Sequence, residues 1–328
     1  MAKRIQFSAV GGPEVLEYVD FTPSDPAAGE IQVETKAIGI NYIDTYVRSG
    51  LYPVPCLPSP LGNEAAGVVR KVGAGVTAVK PGDRVVYALA ALGAYSELHN
   101  VSIEKVALLP DSLSFEQGAA AFLKGLTVQF LLRQTYSVKA GEIFLFHAAA
   151  GGVGLIACQW AKALGARLIA GVGSEQKAAL AKNAGAWATI NYRQENIVER
   201  VRELTGGEMV NVVYDSIGKN TWEDSLNCLK RRGLMVSFGN ASGPVTGVDL
   251  AILNQKGSLY VTRPALNGYI TNRAELQAAS DELFGLIADG TINVAVPAAQ
   301  KFPLAEAKRA HQLLESRQTS GSCLLIPG

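Results

Sequence analysis

The chain reads as a two-domain α/β protein, an antiparallel barrel-like domain joined to an open, doubly wound parallel sheet. Three observations predict this. At 328 residues the chain exceeds one typical domain and is long enough for two separate cores. From residue 143 to 262, short apolar runs alternate with helical patterns, the rhythm of βαβ units. The run 141–154, GEIFLFHAAAGGVG, carries an apolar strand straight into a glycine-rich turn and then an amphipathic helix. Small residues there let the backbone approach a dinucleotide pyrophosphate, and the N–H groups of the following helix point at it.

The N-terminal part, 1–125, shows alternating strand patterns, many glycines and turn signals at 11–13, 73–75 and 81–83. That texture predicts an antiparallel domain. Residues 126–264 form the nucleotide-binding domain, with strands expected at 143–147, 168–172, 210–214, 234–238 and 259–262 and a weaker one at 188–191. Runs this apolar are buried on both faces, which favours a parallel sheet. Behind the glycine turn, Val153, Ile156, Ala157, Trp160, Ala161 and Leu164 recur at helical spacing, and Gly165 stands where a C-cap glycine belongs. A membrane-spanning reading of 143–158 fails on its three turn glycines, His147 and the charged ends. After Pro264 the pattern predicts helices over 273–288 and 304–316 and a strand at 323–326. This tail, 265–328, is expected to return to the first domain, because the parallel sheet already has its strands.

Thirty basic and 29 acidic residues leave a net charge of +1, with no electrostatic footprint for nucleic acid or an acidic membrane. The N-terminus lacks the apolar core of a signal peptide, so a cytoplasmic location is expected. Cys56, Cys158, Cys228 and Cys323 form no Cys-x-x-Cys pair, against a zinc knuckle or dithiol centre. Cys158 and Cys323 fall in core patterns, and Cys56, in a Pro-rich loop, is the one candidate for reactivity. His147 ends a strand and reads as structural, while His99 and His311 have no recognisable partner. No Ser-His-Asp arrangement stands out.

An NAD-binding sheet usually places an acid about twenty residues past the glycine turn, on the ribose hydroxyls. Here 171–177 reads GVGSEQK. Gly173 and Ser174 make room and donate, and Lys177 can neutralise a 2′-phosphate, which favours NADPH. Glu175 is the counter-signal, or equally a solvated charge at a helix N-terminus. Gly151, Gly152 and Val153 lie on the pyrophosphate turn. Ser216, Phe238, Gly239 and Asn240 follow two further strands, at the carboxyl ends where ligands bind. Taken singly, Gly218 and Gly239 equally serve only to turn the chain.

Over its whole length the chain resembles the medium-chain dehydrogenase/reductase superfamily, and within it the quinone oxidoreductase or zeta-crystallin branch. Gly141, Glu142, Leu145, Ala149, Ala150, Gly151, Gly152, Gly154, Gln159 and Lys162 stand at that branch's signature spacing. GNEAAG at 62–67, PGDRV at 81–85 and NYIDTY at 41–46 match its other motifs, the last its substrate-side loop. The resemblance implies a GroES-like barrel domain beside a Rossmann domain, NADPH-dependent quinone reduction, and a homodimer with 258–262 as a dimer edge. It adds Asn41, Thr127, Tyr192, Arg263 and Arg317 to the cofactor contacts.

The zinc alcohol dehydrogenases of the superfamily hold their metal with a Cys in that first loop and a His in a Gly-His-Glu motif. Those places hold Asn41 and Asn63 here, and amides are poor zinc ligands. No metal is expected, and alcohol oxidation then loses its main electrostatic support. Asn41, Tyr46 and Arg263 are the candidate donors toward a substrate oxygen that gains charge. Asp44 holds the loop or the nicotinamide carboxamide, or is a plain loop cap; Tyr52 lines the acceptor site, or packs as an ordinary tyrosine. Two rival functions fit the same features. One is NADPH-dependent reduction of conjugated enones, enals or enoyl thioesters; the other is a nucleotide-binding protein with a structural or RNA-binding role.

Overall fold

The computed structural model describes residues 1–294 and 296–328, which divide into two compact units, 1–126 with 270–328 and 127–269. Among the described residues of the first unit, strands Glu30–Ile40, Glu64–Val72, Arg84–Ala88, Leu98–Ser102, Val106–Leu108, Lys301–Pro303 and Cys323–Ile326 build one sheet. Its pairings are antiparallel except between Lys301–Pro303 and Cys323–Ile326. The last strand pairs with Glu30–Ile40, setting Cys323 opposite Ile40. A smaller antiparallel sheet joins Ala2–Phe7 to Leu16–Phe21 and Ser59–Pro60. Alternation along Ala2–Phe7 turns Ile5 and Phe7 inward, where they pack with Ile31, Val33, Val85, Tyr87 and Tyr95. Each such side chain stabilises the fold by about 1.5–3 kcal/mol through removal from water.

The second unit carries a parallel sheet in the order Ala188–Asn191, Arg167–Val172, Ile143–His147, Val210–Asp215, Leu229–Ser237, Tyr260–Thr262. Counted from the first strand of this unit that order is 3-2-1-4-5-6, the doubly wound arrangement of a Rossmann sheet. It reverses direction next to Ile143–His147, and the turn that follows this strand opens beside the reversal. Phe144, Leu145, Ile169, Val212, Val213 and Met235 are fully buried, as strands covered on both faces require.

Helix Gly152–Ala163 buries Gly154, Ile156, Ala157, Cys158, Trp160 and Ala161, while Val153 and Leu164 at the margins of the expected stripe are half-buried. Its end follows the sequence reading: Gly165 has φ +69°, and its N–H donates to Lys162 O at 3.0 Å. Cys158, Cys228 and Cys323 are buried, and desolvation pushes the first two thiols up to about 12 and the third to about 11. Cys56 is exposed.

Candidate active site

In the second unit, Gly151 N-caps helix Gly152–Ala163 with no side-chain cap, so the N–H groups of the first turn point outward from the strand end. Gly154 has to be glycine: a Cβ there would stand 2.5 Å from the backbone of Ala149. The tight contact brings the helix start down onto the turn, which gives the flat, donor-rich cradle a pyrophosphate requires.

After strand Arg167–Val172, Ser174 caps helix Glu175–Asn183, its Oγ accepting from Lys177 N at 3.2 Å. The cap uses a lone pair of the oxygen, so the hydroxyl keeps its hydrogen for donation. Glu175 Oε1 accepts from Asn191 Nδ2 at 2.8 Å, so the one carboxylate of this turn is tied to the neighbouring strand. Tyr192 is 43% exposed, and its hydroxyl lies 2.5 Å from where a Cβ on Gly173 would stand. Gly173 therefore makes room for the tyrosine.

The loops after the fourth and fifth strands press together, since a Cβ on Gly239 would meet Ser216 O at 2.5 Å. Phe238 sits half-buried against Phe146, ring centroids 5.6 Å apart. Arg263 Nη1 donates to Ser237 O at 2.8 Å and Gly239 O at 3.1 Å, and its Nη2 donates to the Asn240 amide oxygen at 3.0 Å. The guanidinium thus braces this loop. His147, Ser225 and Asp215 do converge, with His147 Nε2 3.0 Å from Ser225 Oγ and Ser225 donating to Asp215 Oδ2 at 2.8 Å. All three are buried, and Asp215 contacts the serine rather than the histidine. Its carboxylate also accepts from Ile217 N, Gly218 N and Thr221 Oγ1, which fixes the loop instead of activating a nucleophile.

In the first unit, Asn41 N-caps the short helix Tyr42–Arg48, and Asp44 Oδ2 reaches back to Asn41 N at 2.8 Å. The two asparagines at the zinc-ligand places each donate to a buried carboxylate: Asn41 Nδ2 to Glu64 Oε2 at 2.8 Å, and Asn63 Nδ2 to Asp44 Oδ1 at 2.7 Å. Glu64 also accepts from Leu123 N at 2.6 Å and Lys124 Nζ at 3.1 Å. Among the described residues, no three His, Cys, Asp or Glu side chains converge as a metal site. Tyr46 is buried and meets Tyr52 edge-on at 5.4 Å, with Tyr52 half-buried. Burial pushes the Asp44 carboxyl up to about 6, against the opposing pull of Asn63, Asn41 N–H, Tyr95 and the Lys124 charge. Thr127 is half-buried on helix Phe115–Phe130, and Arg317 is exposed just past helix Ala307–Glu315 with φ +60°.

Residues 27–111 match the alcohol dehydrogenase GroES-like domain, and residues 152–285 match the zinc-binding dehydrogenase family. Quinone oxidoreductase 1 of Escherichia coli (strain K12) is 69% identical over 327 residues, covering 100% of both chains. The quinone oxidoreductase of Salmonella typhimurium is 70% identical, again over 100% of both. The chain belongs to the quinone oxidoreductase family. A crystal structure of Escherichia coli quinone oxidoreductase complexed with NADPH superposes with a TM-score of 0.99 at 69% identity, covering 99% of this chain and 100% of that one.

Set beside this quinone oxidoreductase framework, the sequence reading missed five buried or half-buried side chains: Glu64, Lys124, Tyr95, His311 and Arg48. Glu64 carried a signal, since a carboxylate inside the apolar run EAAGVV needs a buried partner. The others come from distant parts of the chain, and no local pattern connects them.

Proposed function

We propose that this protein is a metal-independent NADPH:quinone oxidoreductase. The observation that carries the reading is the turn after strand Arg167–Val172. Its one carboxylate is held by Asn191, and a capping serine and a lysine stand where a 2′-phosphate would bind. When bound, NADPH supplies a hydride from its nicotinamide ring, the chemistry of two-electron quinone reduction.

In this reading the N–H groups of Gly151, Gly152 and Val153 hold the pyrophosphate. Gly173, Ser174, Lys177 and Tyr192 take the 2′-phosphate end. Ser216, Phe238, Gly239 and Asn240 line the nicotinamide ribose, and Asn41, Thr127, Arg263 and Arg317 complete the cofactor contacts. Asn41, Tyr46 and Arg263 donate toward the acceptor oxygen, with Asp44 and Tyr52 on the substrate side. Both Asn41 amide hydrogens already have carbonyl or carboxylate acceptors, so this role requires one of them to be exchanged on substrate binding.

A cytoplasmic homodimer completes the proposal. Edge strand Tyr260–Thr262, with Tyr260 55% and Val261 39% exposed, supports pairing with a second copy. Among the described residues no helix is long and apolar enough to cross a membrane.

The deciding assay follows NADPH oxidation with a soluble quinone, beside NADH, a conjugated enone and a chelator-treated sample. Chelator-resistant quinone turnover with NADPH preference is expected. Faster turnover of the enone than of any quinone moves the function to double-bond reduction, and salt-sensitive RNA binding without turnover moves it out of enzymes.

A further inference from the structure

Asp44 receives a third hydrogen bond, from Tyr95 Oη at 2.9 Å, and Tyr95 Oη also lies 3.0 Å from His311 Nε2. His311 Nδ1 in turn lies 2.9 Å from Arg48 Nη1. The direction of every bond in this chain is fixed by its first member. A guanidinium only donates, so His311 Nδ1 accepts. Burial and the Arg48 charge depress the imidazole to about 3, so it is neutral and carries its one hydrogen on Nε2. That hydrogen is donated to Tyr95 Oη, which leaves the single phenolic hydrogen for Asp44.

Asp44 and Arg48 are one turn apart on the same helix, so the chain leaves the helix at Arg48 and returns to it at Asp44. Arg48 is held from outside by Glu315, with Nη2 2.7 Å from Oε1, and by Gly11 O at 3.1 Å. Each of Asp44's partners is a donor: Asn41 N and Tyr95 Oη on Oδ2, and Asn63 Nδ2 on Oδ1. Protonation of Asp44 weakens all three bonds, because a neutral carboxyl accepts less strongly than a carboxylate, and one of them is the capping bond that fixes the start of the Asn41–Tyr46 segment.

We propose that Tyr95 and His311 are positioning residues of the reductase, acting through Asp44 to hold the Asn41–Tyr46 segment in its reactive geometry. The inference rests on the reading of that segment as the substrate side. The charged and titratable groups facing Asp44 are Tyr95, Lys124 and, through Asn41, Glu64, with His311 and Arg48 behind Tyr95 and the Cys323 thiol close enough to Tyr95 to influence it. Among these only Lys124 and the oriented chain favour the Asp44 anion.

The experiment compares wild type, Tyr95→Phe, His311→Gln and His311→Leu in quinone reduction from pH 5 to 8.5, with thermal unfolding alongside. Tyr95→Phe removes the hydrogen donated to a charged group, so the acid limb of kcat is expected to move up by about one pH unit. His311→Leu leaves the Tyr95 hydroxyl able to donate but no longer fixed from behind, so it is expected to move the limb the same way by less, and to add nothing in the Tyr95→Phe background. His311→Gln, whose amide can accept from Arg48 and donate to Tyr95, is expected to keep the wild-type profile. An independent reading comes from the 13C carboxyl titration of Asp44, assigned by its loss in Asp44→Asn.

Lowered melting temperatures with unmoved pH profiles and an unmoved Asp44 titration overturn the proposal in favour of a packing role. A wild-type enzyme that reduces no quinone overturns the functional reading, and the positioning role with it, while the carboxyl titration still tests the oriented chain itself.

Discussion

Glu64 and Lys124 form an ion pair 3.1 Å apart, with side-chain exposures of 0% and 6%. Glu64 makes two further bonds, to Leu123 N and Asn41 Nδ2, so its desolvation is offset from three sides. Removing the cation alone leaves a buried carboxylate without its counter-charge. Lys124→Met is therefore expected to destabilise the protein by about 3–5 kcal/mol in urea unfolding. The double variant Glu64→Leu with Lys124→Met is expected to recover much of that loss. A Lys124→Met protein as stable as wild type would show that the pair is not required for folding.

How much of this was legible from sequence depends on how local each feature is. The nucleotide-binding sheet was readable because its signals are short-range: an apolar run, a glycine turn and a 3.6-residue stripe all lie within 25 residues. The strand at 188–191 was weak in sequence because only Ile190 and Asn191 of its four residues are fully buried. The helix expected over 304–316 begins instead at Ala307, because Leu304–Glu306 forms a tighter 3-10 turn behind Pro303. The network around Asp44 was not readable. It joins residues 44, 63, 95 and 311, which come from a short helix, two loops and the helix Ala307–Glu315 and meet only in the folded first unit. His311 looked partnerless in sequence for that reason, and so did His99, whose Nδ1 stands 3.0 Å from Tyr87 Oη.

Of the chain's three histidines, His147 and His311 are buried and His99 is half-buried, and desolvation depresses His99 to about 4, His311 to about 3 and His147 in the same direction. Their stabilising contribution is present above the unfolded value near 6.5 and is lost as pH falls through the folded values. Asp44 runs the other way: its folded value of about 6 lies above the usual 3.8, so its contribution is full below 3.8 and lost as pH rises through 6. Between pH 6 and 4 the unfolded chain holds more protons than the folded one, because the three histidines outweigh the one aspartate, so stability is expected to fall with pH across that window. Urea midpoints measured from pH 7.5 to 4.5 test this, and a flat profile would refute it.

In the proposed reading, Gly173 and Lys177 divide the work at the 2′-phosphate end. Gly173→Ala places a methyl 2.5 Å from the present position of the Tyr192 hydroxyl, so the tyrosine has to move. Lys177→Ala removes the charge alone. In the proposed reading, Lys177→Ala raises the KM for NADPH by about 10-fold or more and leaves that for NADH nearly unchanged, the loss of one charge-assisted contact. Gly173→Ala raises both, because it alters the shape of the adenosine end. Equal effects of Lys177→Ala on the two cofactors would remove the lysine from the phosphate site.

Arg263 separates two roles that its sequence position left together. Its Nη1 is shared by Ser237 O and Gly239 O and its Nη2 meets the Asn240 amide, so the fork clamps the loop assigned to the nicotinamide ribose. Arg263→Ala leaves two carbonyls without this donor and is expected to cost about 1–3 kcal/mol in cofactor binding, a rise of roughly 5- to 150-fold in the NADPH KM. Arg263→Lys is expected to rescue little, since an ammonium cannot reproduce the planar fork across three acceptors. If the guanidinium instead donates to the acceptor oxygen during reduction, kcat falls and the NADPH KM stays near wild type. Steady-state kinetics of the two variants, with NADPH varied at saturating quinone, tell the clamp from the donor.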